Sequence, residues 1–181
     1  MRFTAVLDSD GLIKLGKAGI LGVVVDAWNC LIPQAVYTET VEQGIQASYP
    51  DAPVIRDALR PSMVRSRVRH PRATALLKLK RGLGIGEQEA LHLFFATKAN
   101  AIVTDDAAFV ALLEQAGLRY LPPALVLVQM AQQGHLEGQR ALEALEHIAP
   151  HIRPEVYQAA RADLHVLLVI KTERAQGGEA P

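Results

Sequence analysis

The sequence holds a single cysteine, no excess of charge of either sign and no long apolar run. One cysteine, Cys30, excludes an intramolecular disulfide framework and suits a reducing cytoplasm. Its apolar neighbours mark it as a small buried hydrophobe. Lys plus Arg equals Asp plus Glu at 19 each, so no global field draws in a polyanion. Any such partner must be held by a local basic patch. The most apolar C-terminal stretch, residues 164–170, contains His165 and is far too short to cross a bilayer, so no membrane partner is expected. The N-terminus enters a short strand directly, and no secretory signal is expected. There is no metal-ligand Cys/His spacing, no Walker loop and no GxSxG elbow. No glycine-rich loop follows the first strand, which argues against a dinucleotide ligand. No internal repeat is present.

What remains is enough for a folded domain. Half of the 181 residues are hydrophobic, so a proper core can be buried. That length fits one domain, or one domain with an appendage. Two apolar runs end on aspartate: Phe3-Thr4-Ala5-Val6-Leu7 stops at Asp8-Ser9-Asp10, and Ala101-Ile102-Val103-Thr104 stops at Asp105-Asp106. Both have the length of buried parallel strands, and both precede helix-like sequence. In an open α/β sheet, ligands bind outside the carboxyl ends of the strands.

The rest of the chain alternates strand and helix. Leu12, Ile13, Leu15 and Ile20 predict a short helix and its exit. Leu21, Val24, Val25 and Trp28 follow i, i+3, i+4, i+7 and predict a second, although three consecutive valines favour a strand. Residues 30–32 form a short strand, and Pro33 fits the first turn of a helix running to about Gln43. Residues 44–81 are the least regular part: Asp51 can cap a helix through Leu59, and residues 63–68 alternate apolar and basic like an edge strand. Gly82, Gly84 and Gly86 break the chain before a strong helix ending near Lys98. A helix over 107–115 and a short strand over 119–121 follow. Beyond Pro123, three helices are predicted, over about 125–134, 136–148 and 154–168. Residues 171–181 have the composition of a disordered tail. Trp28 reads as core, and His92, His135, His147, His151 and His165 read as structural or exposed, because none has ligand spacing.

Further acids flank the predicted sheet. Glu39 lies in the helix after Pro33, and Glu87 and Glu89 lie in the first turn of the helix after the glycines. Taken singly, each has a bland role: aspartate caps helices, and glutamate in a first turn complements the macrodipole. Taken together they are costly. Two unit charges about 4 Å apart repel by about 4 kcal/mol at an effective dielectric of 20. A fold holds three or four converging carboxylates only if a cation relieves them or some stay protonated. Mg²⁺ and Mn²⁺ take oxygen ligands, and the chemistry such a site suggests is phosphodiester hydrolysis.

These residues resemble the PIN domain, a metal-dependent nuclease fold. Val6-Leu7-Asp8-Ser9-Asp10-Gly11-Leu12-Ile13-Lys14-Leu15 is similar to its first strand, first acid and short helix. Ile32-Pro33-Gln34-Ala35-Val36-Tyr37-Thr38-Glu39 is similar to the motif carrying its second acid, and Leu83-Gly84-Ile85-Gly86-Glu87-Gln88-Glu89-Ala90-Leu91 to the helix carrying the third. Val103-Thr104-Asp105-Asp106 is similar to the strand end carrying the fourth. The sequence beyond Leu125 resembles the helical tail of a branch compared with VapC-type toxins. The resemblance implies a three-layer α/β/α domain with a mainly parallel sheet over residues 1–122 and a helical extension packed on it over 123–170. It also implies a cytoplasmic Mg²⁺- or Mn²⁺-dependent ribonuclease, often the toxin of a toxin–antitoxin pair and often dimeric. Carried over, the acidic set is Asp8, Glu39, Glu89 and Asp106, with Glu87 the alternative to Glu89 and Asp105 the alternative to Asp106. Asp10 is a further acid or a cap only. Ser9 and Thr104 are polar neighbours that orient a carboxylate or a water.

Nine of the 19 Lys and Arg residues fall between Arg56 and Arg81, so a local basic patch exists despite the neutral total. Arg65, Arg67 and Arg69 have period two and share a face on a strand. Three readings apply: a solvated edge strand protected against pairing, phosphate contacts that lead RNA to the acids, or a dock for an acidic antitoxin segment. No aromatic residue lies within 63–72, which excludes base stacking there. Two rivals to the nuclease stay open: a degenerate PIN-like module that binds RNA or a protein without cleavage, and an unrelated doubly wound domain holding metal for a phospho-ligand.

Overall fold

A computed structural model describes the backbone of residues 2–79 and 82–177, and the side chains to residue 170. The chain divides into two compact units, Met1–Pro123 and Ala124–Pro181.

The first unit begins with β1 (Thr4–Leu7), α1 (Ser9–Lys17), α2 (Leu21–Ala27) and β2 (Asn29–Pro33). α3 (Gln34–Tyr37) widens into a π-helical segment (Thr38–Gln43) and closes with one turn, α4 (Gly44–Gln46). Then come α5 (Asp51–Ala58), a 3₁₀ turn (Pro61–Met63), β3 (Val64–Arg65), α6 (Pro71–Leu79) and α7 (Ile85–Thr97). β4 (Ala101–Val103), α8 (Ala107–Gln115) and β5 (Tyr120–Leu121) complete it. All five strands are parallel, in the order β3-β2-β1-β4-β5. β1 is central: Val6 lies opposite Leu31 on one side and Ile102 on the other.

A parallel sheet covered on both faces needs strands that are apolar throughout, and Ala5, Val6, Leu7, Ala101, Ile102 and Val103 are all fully buried. On one face, Ala73 of α6, Leu91 and Leu93 of α7, and Phe109, Leu112 and Leu113 of α8 cluster with Val6, Leu31 and Ile102. On the other face α1 and α2 pack against α5. The result is a three-layer α/β/α domain. Each fully buried Leu, Ile or Phe in it contributes about 1.5–3 kcal/mol. Asn100 fixes how β4 meets β1: its Oδ1 accepts the Thr4 N–H at 2.7 Å, and its own N–H donates to the Thr4 carbonyl at 2.8 Å.

The valine run adopts a helix because Leu21, Val24 and Val25 then share one buried face. Trp28 is buried against Phe3, with ring centroids 4.5 Å apart. Burial also pushes the Cys30 thiol up to about 12, so it stays neutral.

Several expectations for the irregular stretch need correction. The strand expected over 63–68 is reduced to Val64–Arg65, because β2 ends at Pro33 and turns into α3, leaving nothing further to pair with. Asp51 lies in the first turn of α5 and makes no side-chain cap; Pro50 holds the cap position. α6 was not expected at all. α7 starts at Ile85, so Gly86 lies inside its first turn rather than before it.

The second unit is helical: α9 (Pro123–Gln132), α10 (Gly138–Ile148), a 3₁₀ turn (Ala149–His151) and α11 (Pro154–Gly177). α10 and α11 pack closely at Gly138, where a Cβ would lie 2.6 Å from Leu168 Cδ2. The Tyr157 hydroxyl donates to Glu146 at 2.6 Å. α11 runs past the expected end near Leu168 to Gly177, so the expected tail is helical in its first part. Residues 178–181 of that tail lie outside the described residues. Among the described residues, no helix is long and apolar enough to cross a membrane.

Candidate active site

The strand order reverses at β1, with β2 on one side and β4 on the other, and a crevice forms at such a point beyond the strand carboxyl ends. A cavity of about 620 Å³ lies there, large enough for a nucleotide-sized ligand, and is lined by Asp8, Ser9, Asp10, Thr38, Glu39, Glu87 and Asp106.

Asp8 leaves the end of β1 and caps α1, its Oδ1 accepting the Gly11 N–H at 2.7 Å. It is only 2% exposed. Burial pushes its carboxyl up to about 7; hydrogen bonds from Thr104 and Gly11 pull down, and the negative charges of Asp10 and Glu87 push further up. Capping and a site role therefore coexist in one residue. Gly11 is what lets α1 start this close to β4, since a Cβ there would collide with the Val103 carbonyl. Gly11→Ala is expected to cost about 1–3 kcal/mol, read as a lower denaturant midpoint, because the Asp8 turn must move off β4.

Glu39 is exposed in the π-helical segment, a backbone form frequent at functional sites. Ser9 Oγ donates to Glu39 Oε2 at 2.6 Å and orients it. A Cβ on Gly86 would lie 3.4 Å from Ser9 Oγ and 3.6 Å from Glu39 Oε2. The first turn of α7 thus sits directly over this pair.

The structure separates the two ambiguous pairs. Glu87 lines the acidic crevice and Glu89 does not. Glu89 is buried, accepts the Ala35 N–H at 3.0 Å, and meets Arg67 at 3.5 Å in a different cavity. Likewise Asp106 lines the crevice and Asp105 does not. Asp106 caps α8, its Oδ1 accepting the Phe109 N–H at 2.8 Å, and its own N–H donates to Thr104 Oγ1 at 3.2 Å. Thr104, fully buried, therefore joins Asp8 to Asp106.

Asp105 takes part in a buried ion cluster that sequence reading did not single out. Lys14 Nζ lies 3.1 Å from Asp105 Oδ2 and 2.9 Å from Asp10 Oδ2, and the Asp105 N–H donates to Asp10. Burial pulls the Lys14 ammonium down, but the hydrogen bonds and charges of the two aspartates outweigh it and the net shift is upward. This clamp ties the turn after β1 to the turn after β4. The i, i+4 spacing of Asp10 and Lys14 was the available signal.

Arg65 is exposed on edge strand β3, and Arg67 and Arg69 are exposed beyond it. None of the three lines the acidic crevice. His92 is buried, its Nδ1 accepting the His70 N–H at 2.9 Å.

Among the described residues, no three His, Cys, Asp or Glu side chains are drawn together tightly enough to hold a metal ion as they stand. The donor set still fits a hard divalent cation in kind. Its polar groups are mostly carboxylate and hydroxyl oxygens with the Gln43 amide beside them, and burial, with the negative charges of Asp10 and Glu87 adding to it, pushes the Asp8 carboxyl up to about 7. Asp8, Glu39, Glu87 and Asp106 are the residues that would hold such an ion.

No curated protein and no solved structure matches the chain. A family model described as a PIN domain matches residues 4–165. That match spans most of the sequence and both units, and the chain belongs to the PIN-domain family.

Proposed function

We propose that the protein is a metal-dependent endoribonuclease that hydrolyses RNA phosphodiesters with Mg²⁺ or Mn²⁺. PIN domains are typically nucleases and generally use divalent metals. The observation that carries the reading is the crevice at the strand-order reversal, where Asp8, Glu39, Glu87 and Asp106 face one space and Asp8 is pushed up to about 7. A bound divalent cation supplies a lowered water pKa and neutralises charge on the phosphoryl group. The protein's own contribution is placement. Ser9 fixes Glu39, Gly11 and Thr104 fix Asp8, and the α8 cap fixes Asp106. Burial holds the metal-free Asp8 carboxyl up at about 7, so a cation held there would displace its proton. We further propose a VapC-like toxin acting in the cytoplasm, as a homodimer with a protein antitoxin as partner.

A second reading, a PIN-like module that binds RNA or a protein without cleavage, is favoured by the lack of any three tightly converging acids among the described residues. Two variants and a cleavage assay on single-stranded RNA in Mn²⁺ decide between them. Glu87→Gln is expected to lower kcat about 10²-fold, or about 2.7 kcal/mol of barrier. Glu89→Gln acts first on stability, costing about 1–3 kcal/mol through its buried hydrogen bond and ion pair, with a kcat loss at least tenfold smaller than that of Glu87→Gln. The reverse ranking would remove Glu87 from the site. Absence of cleavage by the wild type would favour the binding module.

A further inference from the structure

We infer that a second cavity, on the other flank of the α7 start, is a phosphate subsite that grips the backbone of the RNA strand entering the acidic crevice. The choice of RNA rests on the proposed nuclease reading; the anion preference does not. The cavity has a volume of about 240 Å³, and Arg67, Arg69, Thr74, Lys78, Gln88 and His92 line it together with Glu89. Three cations face a single acid there, in a chain whose formal net charge is zero.

The one carboxylate of this lining is already engaged. Glu89 accepts from Ala35 and meets Arg67. His92 Nδ1 accepts the His70 N–H, which leaves the proton of the neutral ring on Nε2, a donor. Arg69 and Lys78 make no ion pair among the described residues. The cavity therefore offers a ligand the charges of Arg69 and Lys78 and the His92 Nε2–H, which suit a phosphodiester oxygen.

The position of the cavity selects a strand rather than a free anion. Glu87 lines the acidic crevice, and the next two residues, Gln88 and Glu89, line the basic cavity. The two cavities thus lie on different sides of the same turn of α7, where one strand can meet both. Neither lining contains Phe, Tyr or Trp, so the grip is electrostatic and sequence-tolerant. Arg65, the third member of the period-two row, does not line the cavity.

The test measures binding of a labelled single-stranded RNA dodecamer to the full chain in EDTA, over a salt series starting at low salt. Arg69 and Lys78 are exposed, and circular dichroism checks that their variants fold. The Arg69→Gln/Lys78→Gln double variant is expected to bind at least about tenfold more weakly. Its slope of log affinity against log salt should fall by about 1.4, at about 0.7 per lost phosphate contact. Arg140→Gln, which removes an exposed charge on α10, should bind as the wild type does. The inference is overturned if the double variant keeps wild-type affinity and slope. Equal weakening by Arg140→Gln would also overturn it, by showing a diffuse field, as would no binding by the wild type at low salt. Cleavage in Mn²⁺, measured separately, keeps the two claims distinct. A wild type that binds through Arg69 and Lys78 without cleaving sinks the nuclease reading alone, and a double variant that cleaves with unchanged KM sinks the subsite alone.

Discussion

Asp8→Asn is expected to give a protein that is more stable than the wild type at pH 8 in EDTA, yet cleaves RNA at least about 10³-fold more slowly, or about 4 kcal/mol of barrier. The two effects share one cause. The fold buries Asp8 and lifts its carboxyl from 3.8 to about 7. Its folded pKa therefore lies above the unfolded one, and the stability conferred by the protonated form is complete below about pH 4. That stability is lost as the pH rises towards 7, a loss of about 4 kcal/mol above that pH. Asparagine carries no charge, and its side-chain oxygen can still accept the Gly11 N–H. About 2–4 kcal/mol should return at pH 8, or roughly 5–10 °C in Tm for a chain of this length. At pH 5 the difference should shrink to within about 1 kcal/mol, because the wild-type carboxyl is then protonated in the fold. Thermal unfolding at both pH values checks this. An Asn variant less stable than wild type at pH 8 would mean that Asp8 is not under electrostatic load. The same ionisation governs metal uptake: a cation needs the carboxylate, so affinity for Mn²⁺ should rise with pH up to about 7 and level off above it.

Lys14→Met is expected to have the largest cost in stability, about 3–5 kcal/mol, because it leaves two aspartates without the ammonium between them. Asp105 suffers most: its side chain is 2% exposed, against 34% for Asp10. Urea unfolding at pH 7 reads the loss. A Lys14→Met/Asp105→Leu double variant should recover much of it, since replacing both partners removes the uncompensated charge. The single variant should also bind Mn²⁺ more weakly, because Lys14 clamps the turn carrying Asp8 to the turn carrying Asp106. A loss below about 1 kcal/mol, the scale of an exposed pair, would show that the clamp contributes little.

The parallel sheet was legible because a strand buried on both faces reads as an apolar run, and β1 and β4 are such runs ending on aspartate. The irregular stretch was not. Pro71 starting a helix with Ala73, Leu76 and Leu77 on its inner side was an available sign of α6, but the basic residues around it mask the apolar pattern. β3 was overextended because a period-two pattern shows where a strand can form, while its length depends on its partner, and β2 stops at Pro33. At the site, the strand-end acids and Glu39 were legible as an ordered set. The choice of Glu87 over Glu89 was not, because two residues apart on a helix point to nearly opposite sides and the facing depends on where α7 begins. With α7 starting at Ile85, Glu87 lines the crevice and Glu89 the neighbouring cavity. Gly11 escaped notice because its close approach to β4 leaves no local pattern, and the Asp10–Lys14 spacing marks only half of a clamp whose other partner, Asp105, is distant in sequence.

The central claim is that the acidic crevice cleaves RNA, and Asp106→Asn tests it most directly. Asparagine caps a helix as well as aspartate does, so α8 and the fold should be retained while the crevice loses one carboxylate. Wild type and variant, purified in parallel, are compared on single-stranded RNA in Mn²⁺ at pH 8. The expected result is cleavage by the wild type and a loss of at least about 10²-fold in the variant, or about 2.7 kcal/mol. Equal cleavage by the two proteins would contradict the account.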